Sequence, residues 1–150
     1  MITELTWPIK ESLLGYLEMM EARIETRGAD RTPEGFCFPV DPDAAGVEWL
    51  VFVGEVHITA HGGLLDVTIA RPRIGRDGDH AVLRSTSARG EIGLARLLDY
   101  PQDDAGLRQD GGVLTDVALT MDGAALLGGV YAPWTRLAPI VLRAGGPSPR

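Results

Sequence analysis

The chain has 150 residues, a formal net charge of −7 and 45% apolar residues. That length suits one domain, which at this size buries roughly 70% of its unfolded surface and needs no disulfide to fold. The acidic balance argues against a nucleic-acid or anionic-membrane surface, both of which are held by clustered Lys and Arg, and no apolar run approaches the ~18 residues of a membrane-spanning helix.

Thr6 reads as a helix N-cap, and Pro8 fits the first turn after it. Ile9, Leu13, Leu17 and Met20 then recur at helical spacing. Ser12 and Tyr16, four apart, fall in the same stripe, so both are expected to face the body of the protein. The helix frays near Glu21 to Arg23. Residues 28–34 are polar, contain Pro33, and read as a loop. Gly35 to Val40 is a short strand. The single cysteine, Cys37, lies between Phe36 and Phe38; it can form no internal disulfide and reads as a buried, inert thiol rather than a reactive one.

Residues 47–60 give the strongest strand signal. Leu50, Phe52, Val56, Ile58 and Ala60 form one apolar face, interrupted by Gly54. The opposite face starts apolar at Trp49, Val51 and Val53 and turns polar at Glu55, His57, Thr59 and His61. Gly62-Gly63 suits a tight hairpin, Leu64 to Ala70 returns as the partner strand, and Pro72 stops it. Residues 80–87 and 91–98 are two further strands, with His80 an exposed turn residue. Residues 99–112 read as an exposed loop; Asp99, Asp103 and Asp104 lack the ligand set and spacing of a calcium site. Val113 to Leu119 is a strand. Thr120 caps a short helix through Ala124 to Leu127, ended by Gly128 or Gly129. Leu137 to Arg143 is a last strand, at an edge given Pro139, and residues 145–150 form a disordered tail. About seven short strands separated by turns predict a mainly β fold: an antiparallel β-sandwich or open barrel over residues 1–144, with one N-terminal helix and a short C-terminal one.

Several chemistries have no carrier in this sequence. There is no CxxC or HExxH zinc spacing, no serine-nucleophile motif, no P-loop and no dinucleotide fingerprint. Taken by themselves, Tyr16 on an amphipathic helix is a core residue, His61 is a hairpin residue, Ser12 bonds back to the carbonyl of residue 8, and Tyr131 is packing.

The order and spacing of several segments add a second reading. LTWPIKESLLGY contains Trp7, Lys10, Ser12 and Tyr16. FCFP places two aromatics before a proline. GEVHITAHGGLLD carries a histidine before glycine and a Leu-Asp pair, followed by RPR; the late segment is TMDGAALLGGVYAPWTRLAPI. Together, from about Leu5 to Leu142, these resemble the HtaA domain of actinobacterial heme-uptake proteins. The chain departs from the pattern near its end, where Trp134-Thr135 replaces Gly-Thr and Ala138 stands at an aspartate position.

The resemblance implies a b-type ferric heme held by Tyr16 as axial ligand. His61 would hydrogen-bond the phenolate, Ser12 would meet a propionate, and Tyr131 would be the late aromatic of the site. A phenolate is a hard anionic donor that favours Fe(III) and is a known ligand to heme iron. An imidazole N–H donated to its oxygen favours the charged form and weakens donation to iron, which suits a protein that must release its cargo. His57 and His61 are four residues apart on one strand, about 13 Å, so both cannot touch one phenolate; the hairpin position favours His61.

Three functions follow. The first is a carrier, buffer or relay of ferric heme that does not transform it, exchanging with a donor or acceptor protein. The second is a heme-free interaction module of the same fold. The third, an enzyme, lacks the Arg-His pair that peroxidase chemistry needs. A second protomer covering an exposed heme face is left open. The N-terminus lacks the basic start and apolar core of a secretory signal. This implies a cytoplasmic location, although relatives in the family are often exported and a chain shorn of its leader would read the same way.

Overall fold

The computed structural model describes residues 1–44, 48–88 and 90–145. The chain opens in a strand, not a helix. β1 (Ile2–Trp7) buries Leu5, Thr6 and Trp7, so Thr6 is a strand residue rather than a cap. It pairs with Cys37 on one side and Val141 on the other, and these long-range ladders override the local capping signal. Ile9 in the left-handed region (φ 69°) reverses the chain. Helix α1 (Glu11–Met19) follows, with Lys10 at its N-cap and no side-chain cap.

Leu13 and Leu17 are the buried residues of α1, whereas Ser12 and Tyr16 are exposed, Tyr16 at 40%. This corrects the expectation that the pair faces inward. Residues 13 and 17 centre the buried arc, and each preceding residue is turned about 100° from it, to the rim of the apolar face.

Two strands arise where a frayed helix end and a loop are expected: β2 (Arg23–Arg27) and β3 (Asp30–Thr32). β2 is almost wholly exposed and polar and leaves no apolar period to read; pairing with its neighbour holds it extended. β4 (Gly35–Pro39) buries Phe36 and Phe38 and leaves Cys37 half-buried on the other side. Burial and the adjacent Glu4 carboxylate push the Cys37 thiol up, which keeps it a poor nucleophile.

The run 47–60 divides in two, with Val47 outside the described residues. β5 (Leu50–Val51) and β6 (Glu55–Ala60) are separated at Gly54, whose φ is 106° and where a Cβ would lie only 2.7 Å from the Gly28 carbonyl oxygen, so a side chain has no room. Both pair with β7 (Leu65–Asp77). β7 continues through Pro72 because the proline sits at a bulge: the register against the next strand shifts between Ala70 and Arg73, so its missing N–H costs no ladder bond. The Pro72 carbonyl accepts from Phe52 N at 2.9 Å. β8 (His80–Ser87) and β9 (Gly90–Leu97) form the expected hairpin.

The stretch 99–112 is more ordered in role than an exposed loop. It contains α2 (Ala105–Asp110) and the buried Tyr100. Tyr100 donates its hydroxyl to Asp104 Oδ2 at 2.6 Å, and Arg108 Nε donates to the same oxygen at 2.9 Å. Asp99 accepts from the backbone N–H groups of Thr115 and Asp116. That turn splits the run 113–119 into β10 (Gly112–Leu114) and β11 (Val117–Leu119), which join different sheets. Helix α3 (Met121–Leu126) is capped as predicted, with Thr120 Oγ1 accepting from Gly123 N at 2.9 Å. β12 (Ile140–Ala144) is not an edge strand; it lies between β10 and β1, with Pro139 just outside it. The expected tail falls, from residue 146 on, outside the described residues, while Gly145 N still donates to the Met1 carbonyl.

The strands form two antiparallel sheets. One has the order β10-β12-β1-β4-β3; the other runs β11-β9-β8-β7-β6-β2, with β5 paired to β7. Trp7, Phe36 and Phe38 of the first share one apolar core with Val56, Ile58, Val67, Ile69 and Leu83 of the second. The fold is the mainly β sandwich the sequence predicts, with α2 as an unforeseen third helix.

Candidate functional site

The inner face of α1 lies against one end of the second sheet and the turn after α3. Leu13 and Leu17 from the helix, Ile58 from β6, and Leu65 and Val67 from β7 line an apolar cleft there. Leu127, Val130 and Tyr131 close its other side. The cleft is narrow, with about 10 Å³ of free space, and opens to solvent. Val130, one of the lining residues, is exposed, and an apolar cleft open to water is the kind of place where a ligand binds.

Tyr16, itself exposed, directly precedes the lining residue Leu17 on α1 and lies one turn beyond Ser12. Its phenol has no hydrogen-bond partner among the described residues. His61 begins the short 3-10 turn His61–Gly63 that joins β6 to β7, with φ 54°. It therefore sits between Ile58 and Leu65, two residues of the cleft wall, and is itself exposed. The structure brings Ser12 and Tyr131 together, their hydroxyl oxygens 3.3 Å apart. No hydrogen bond joins Tyr16 to His61 among the described residues, and neither lines the cleft itself; Tyr16 precedes the lining residue Leu17, and His61 lies on the turn between the strands that carry Ile58 and Leu65.

The other histidines are committed elsewhere. Val56, Ile58 and Ala60 of β6 point into the core, so His57 occupies the opposite face of the sheet. There its Nε2 lies 2.7 Å from Asp66 Oδ1, and Glu25 is 3.9 Å from Nδ1. His80 accepts at Nδ1 from Arg96 Nη1 at 3.1 Å, because a guanidinium can only donate. It is thus a partnered residue rather than a bare turn residue.

Two contacts position the C-terminal wall. Trp7, 1% exposed, donates Nε1 to the Ala138 carbonyl at 2.8 Å, and Ala138 N donates to the Ile9 carbonyl at 2.9 Å. They fix the segment after Tyr131 against the residues that lead into α1. The departure at Ala138 is accommodated because only backbone atoms of that residue make these bonds. Trp134 takes the left-handed conformation (φ 69°) where the family pattern has glycine, and its ring stacks on Arg96 with 5.6 Å to the centroid. Lys10 Nζ lies 5.6 Å from the Tyr131 ring centroid and donates to the Arg136 carbonyl at 3.3 Å.

The sequence assigns no role to Leu127, Val130 or Lys10. The apolar wall follows from the amphipathic pattern of α3 and the glycine turn after it; Lys10 carries a compositional signal taken up below. Among the described residues no group of three or more His, Cys, Asp or Glu side chains could hold a metal ion. The donors near the cleft are the Tyr16 phenol, the Ser12 and Tyr131 hydroxyls and the Lys10 ammonium.

A family model described as Htaa, the HtaA domain, matches residues 3–143. The chain belongs to the HtaA family. No curated protein matches it closely enough to add to this assignment. Among solved structures it is similar to the N-terminal domain of HtaA from Corynebacterium glutamicum, with TM-score 0.74 and 21% identity over 97% of this chain and 98% of that one. The C-terminal domain of the same protein gives TM-score 0.71 and 21% identity, covering 94% of each chain. The heme-binding protein HtaB of that organism gives TM-score 0.68 and 25% identity over 94% of this chain and 91% of that one. At these identities the HtaA-domain likeness bears on the fold, and the ordering of LTWPIKESLLGY, FCFP and GEVHITAHGGLLD along it agrees with the family match.

Proposed function

We propose that this protein binds one ferric heme at the cleft beside α1 and carries, buffers or relays it without transforming it. Tyr16 is the axial ligand in this reading. The observation that carries it is an exposed phenol with no partner among the described residues, on the helix that walls an apolar cleft, in an HtaA-family chain whose fold is similar to that of a heme-binding protein.

When bound, ferric heme supplies a hard cationic centre that a phenolate oxygen satisfies well. The chain supplies the rest. Leu13, Leu17, Ile58, Leu65 and Leu127 offer the apolar surface a porphyrin face needs. The positive charge of the metal favours loss of the Tyr16 proton. His61, on the hairpin that borders the cleft, is the residue placed to donate an N–H to the phenolate, which stabilises the anion and tempers its hold on the metal. Ser12 and Tyr131, already 3.3 Å apart, offer hydroxyls to a porphyrin carboxylate. We assign binding and release rather than catalysis. A heme donor or acceptor would dock at the open side of the cleft, near the exposed Val130, and a second copy of the chain could cover the same side.

Titration of the purified apo-protein with ferric heme tests the reading. A saturable Soret change at one equivalent supports it. A linear, unsaturable response would leave a heme-free interaction module of the same fold as the function.

A further inference from the structure

Of the fourteen basic side chains in this sequence, thirteen are arginine; Lys10 is the sole lysine. A chain that uses arginine everywhere else keeps an ammonium at one place, and that place is the edge of the cleft. Lys10 immediately precedes α1, one turn and a half before Tyr16. Its Nζ lies 5.6 Å from the Tyr131 ring centroid and reaches the Arg136 carbonyl at 3.3 Å. The Tyr131 hydroxyl in turn lies 3.3 Å from Ser12 Oγ. No carboxylate among the described residues forms an ion pair with Lys10, although Arg136 beside it is paired with Asp116 at 3.1 Å. The ammonium is therefore held by a neutral carbonyl and a ring face, and has donors to spare.

The surroundings give that spare charge a purpose. The chain carries −7 overall, and α1 itself bears Glu11 and Glu18. A ligand with carboxylate arms meets an unfavourable field unless a cation receives them. An ammonium suits this role better than a guanidinium here: it is a compact charge on a flexible stem, able to keep its carbonyl bond while turning another N–H to an incoming oxygen.

We propose that Lys10 is the charged receptor for a carboxylate of the bound porphyrin, with the Ser12 and Tyr131 hydroxyls beside it, and that the site therefore selects porphyrins with free carboxylate side chains over their esters. This rests on the heme reading above and adds a specificity determinant to it. The test compares ferric protoporphyrin with its dimethyl ester, in wild type, Lys10→Met and Lys10→Arg. Circular dichroism first establishes that each variant is folded. Wild type should prefer the free acid, and Lys10→Met, which keeps the apolar stem, should lose about 1.5- to 5-fold of that preference, the range for an ion pair at a partly exposed site. Lys10→Arg should keep most of it. Equal preference in wild type and Lys10→Met, with binding intact, overturns the assignment of Lys10 alone; failure of both porphyrins to bind overturns the heme reading and this one with it. Because Lys10 is the only side-chain amine, acylation read by mass spectrometry gives an independent arm. Saturation with the free acid should slow its modification and saturation with the ester should not; equal rates in both cases also overturn the proposal.

Discussion

Trp7→Phe is the substitution whose effect follows most directly from the packing. Trp7 is 1% exposed, and its Nε1 donates to the Ala138 carbonyl at 2.8 Å across 131 residues of sequence. Phenylalanine removes the donor and leaves a buried carbonyl unpaired, which costs about 1–3 kcal/mol. The smaller ring also leaves a void comparable to a lost methyl or two, about 1 kcal/mol more. The sum, about 2–4 kcal/mol, is a large share of the ~5–15 kcal/mol that stabilises an ordinary domain. At about 2–4 °C per kcal/mol for a chain of this size, the melting temperature should fall by about 5–15 °C. Urea unfolding followed by far-ultraviolet circular dichroism measures this without relying on the fluorophore that has been removed. Heme affinity should fall far less than on loss of Tyr16, since the substitution loosens the segment after Tyr131 but leaves the axial residue in place. A stability loss below about 1 kcal/mol would refute the clamp between β1 and the C-terminal wall, because a buried orphaned carbonyl alone costs that much.

Tyr16→Phe should change apo-protein stability by less than about 0.5 kcal/mol, since the lost hydroxyl is exposed and unpartnered, while heme affinity drops beyond the ~10–100-fold range of an outer-shell change; thermal melts and heme titrations read the two effects separately. His61→Ala should lower heme affinity by about 10–100-fold and change the release rate with tyrosinate ligation retained, so stopped-flow transfer of heme to an excess of apo-myoglobin that yields wild-type rates would count against it. Acid should unfold the protein through carboxylates held below their usual range. Burial works to raise Asp99, but the Thr115 and Asp116 N–H groups and the Thr115 hydroxyl outweigh it; for Asp104, burial is outweighed by the Tyr100 hydroxyl and the Arg108 guanidinium. A carboxyl depressed in the folded state contributes stability above its unfolded value and loses it as pH falls, so stability should be flat from neutrality and decline below about pH 4. Asp99→Asn should decline less steeply in chemical-denaturation curves measured between pH 6 and 3.

The parts of this fold that were legible in the sequence are those whose burial follows a single period. Glu55–Ala60 alternates cleanly, and the 80–87 and 90–97 hairpin and the Thr120 cap carry their own local signals. The parts that were not legible are those decided by distant partners. β1 carries a helix-cap signal at Thr6, yet its backbone bonds are satisfied by β4 and β12. β2 is polar on both faces and exists because β6 holds it. Pro72 ends a strand by local rules, but a bulge absorbs it. The turn at Asp99 and Tyr100 is silent in composition, because a buried Tyr-Asp-Arg cluster reads in sequence as polar residues in a loop. At the site, the ordered motifs point to Tyr16, His61, Ser12 and Tyr131; Tyr131 lines the cleft with Ser12 at its hydroxyl, and Tyr16 and His61 lie on elements that supply its wall. The outward turn of Ser12 and Tyr16 was not legible, since a stripe read at three- and four-residue spacing does not separate its buried centre from its rim. Lys10 shows a different signal, visible only by counting: one lysine against thirteen arginines.

Resonance Raman spectroscopy of the ferric complex, excited in its phenolate-to-iron charge-transfer band, tests axial ligation by Tyr16 most directly. Wild type should show enhanced tyrosinate ring and iron–oxygen modes from a ferric centre, and Tyr16→Phe, loaded with the same heme, should lose them. A histidine-ligated spectrum in wild type, or tyrosinate modes that persist in Tyr16→Phe, would contradict the account and move the ligand to His61 or Tyr131.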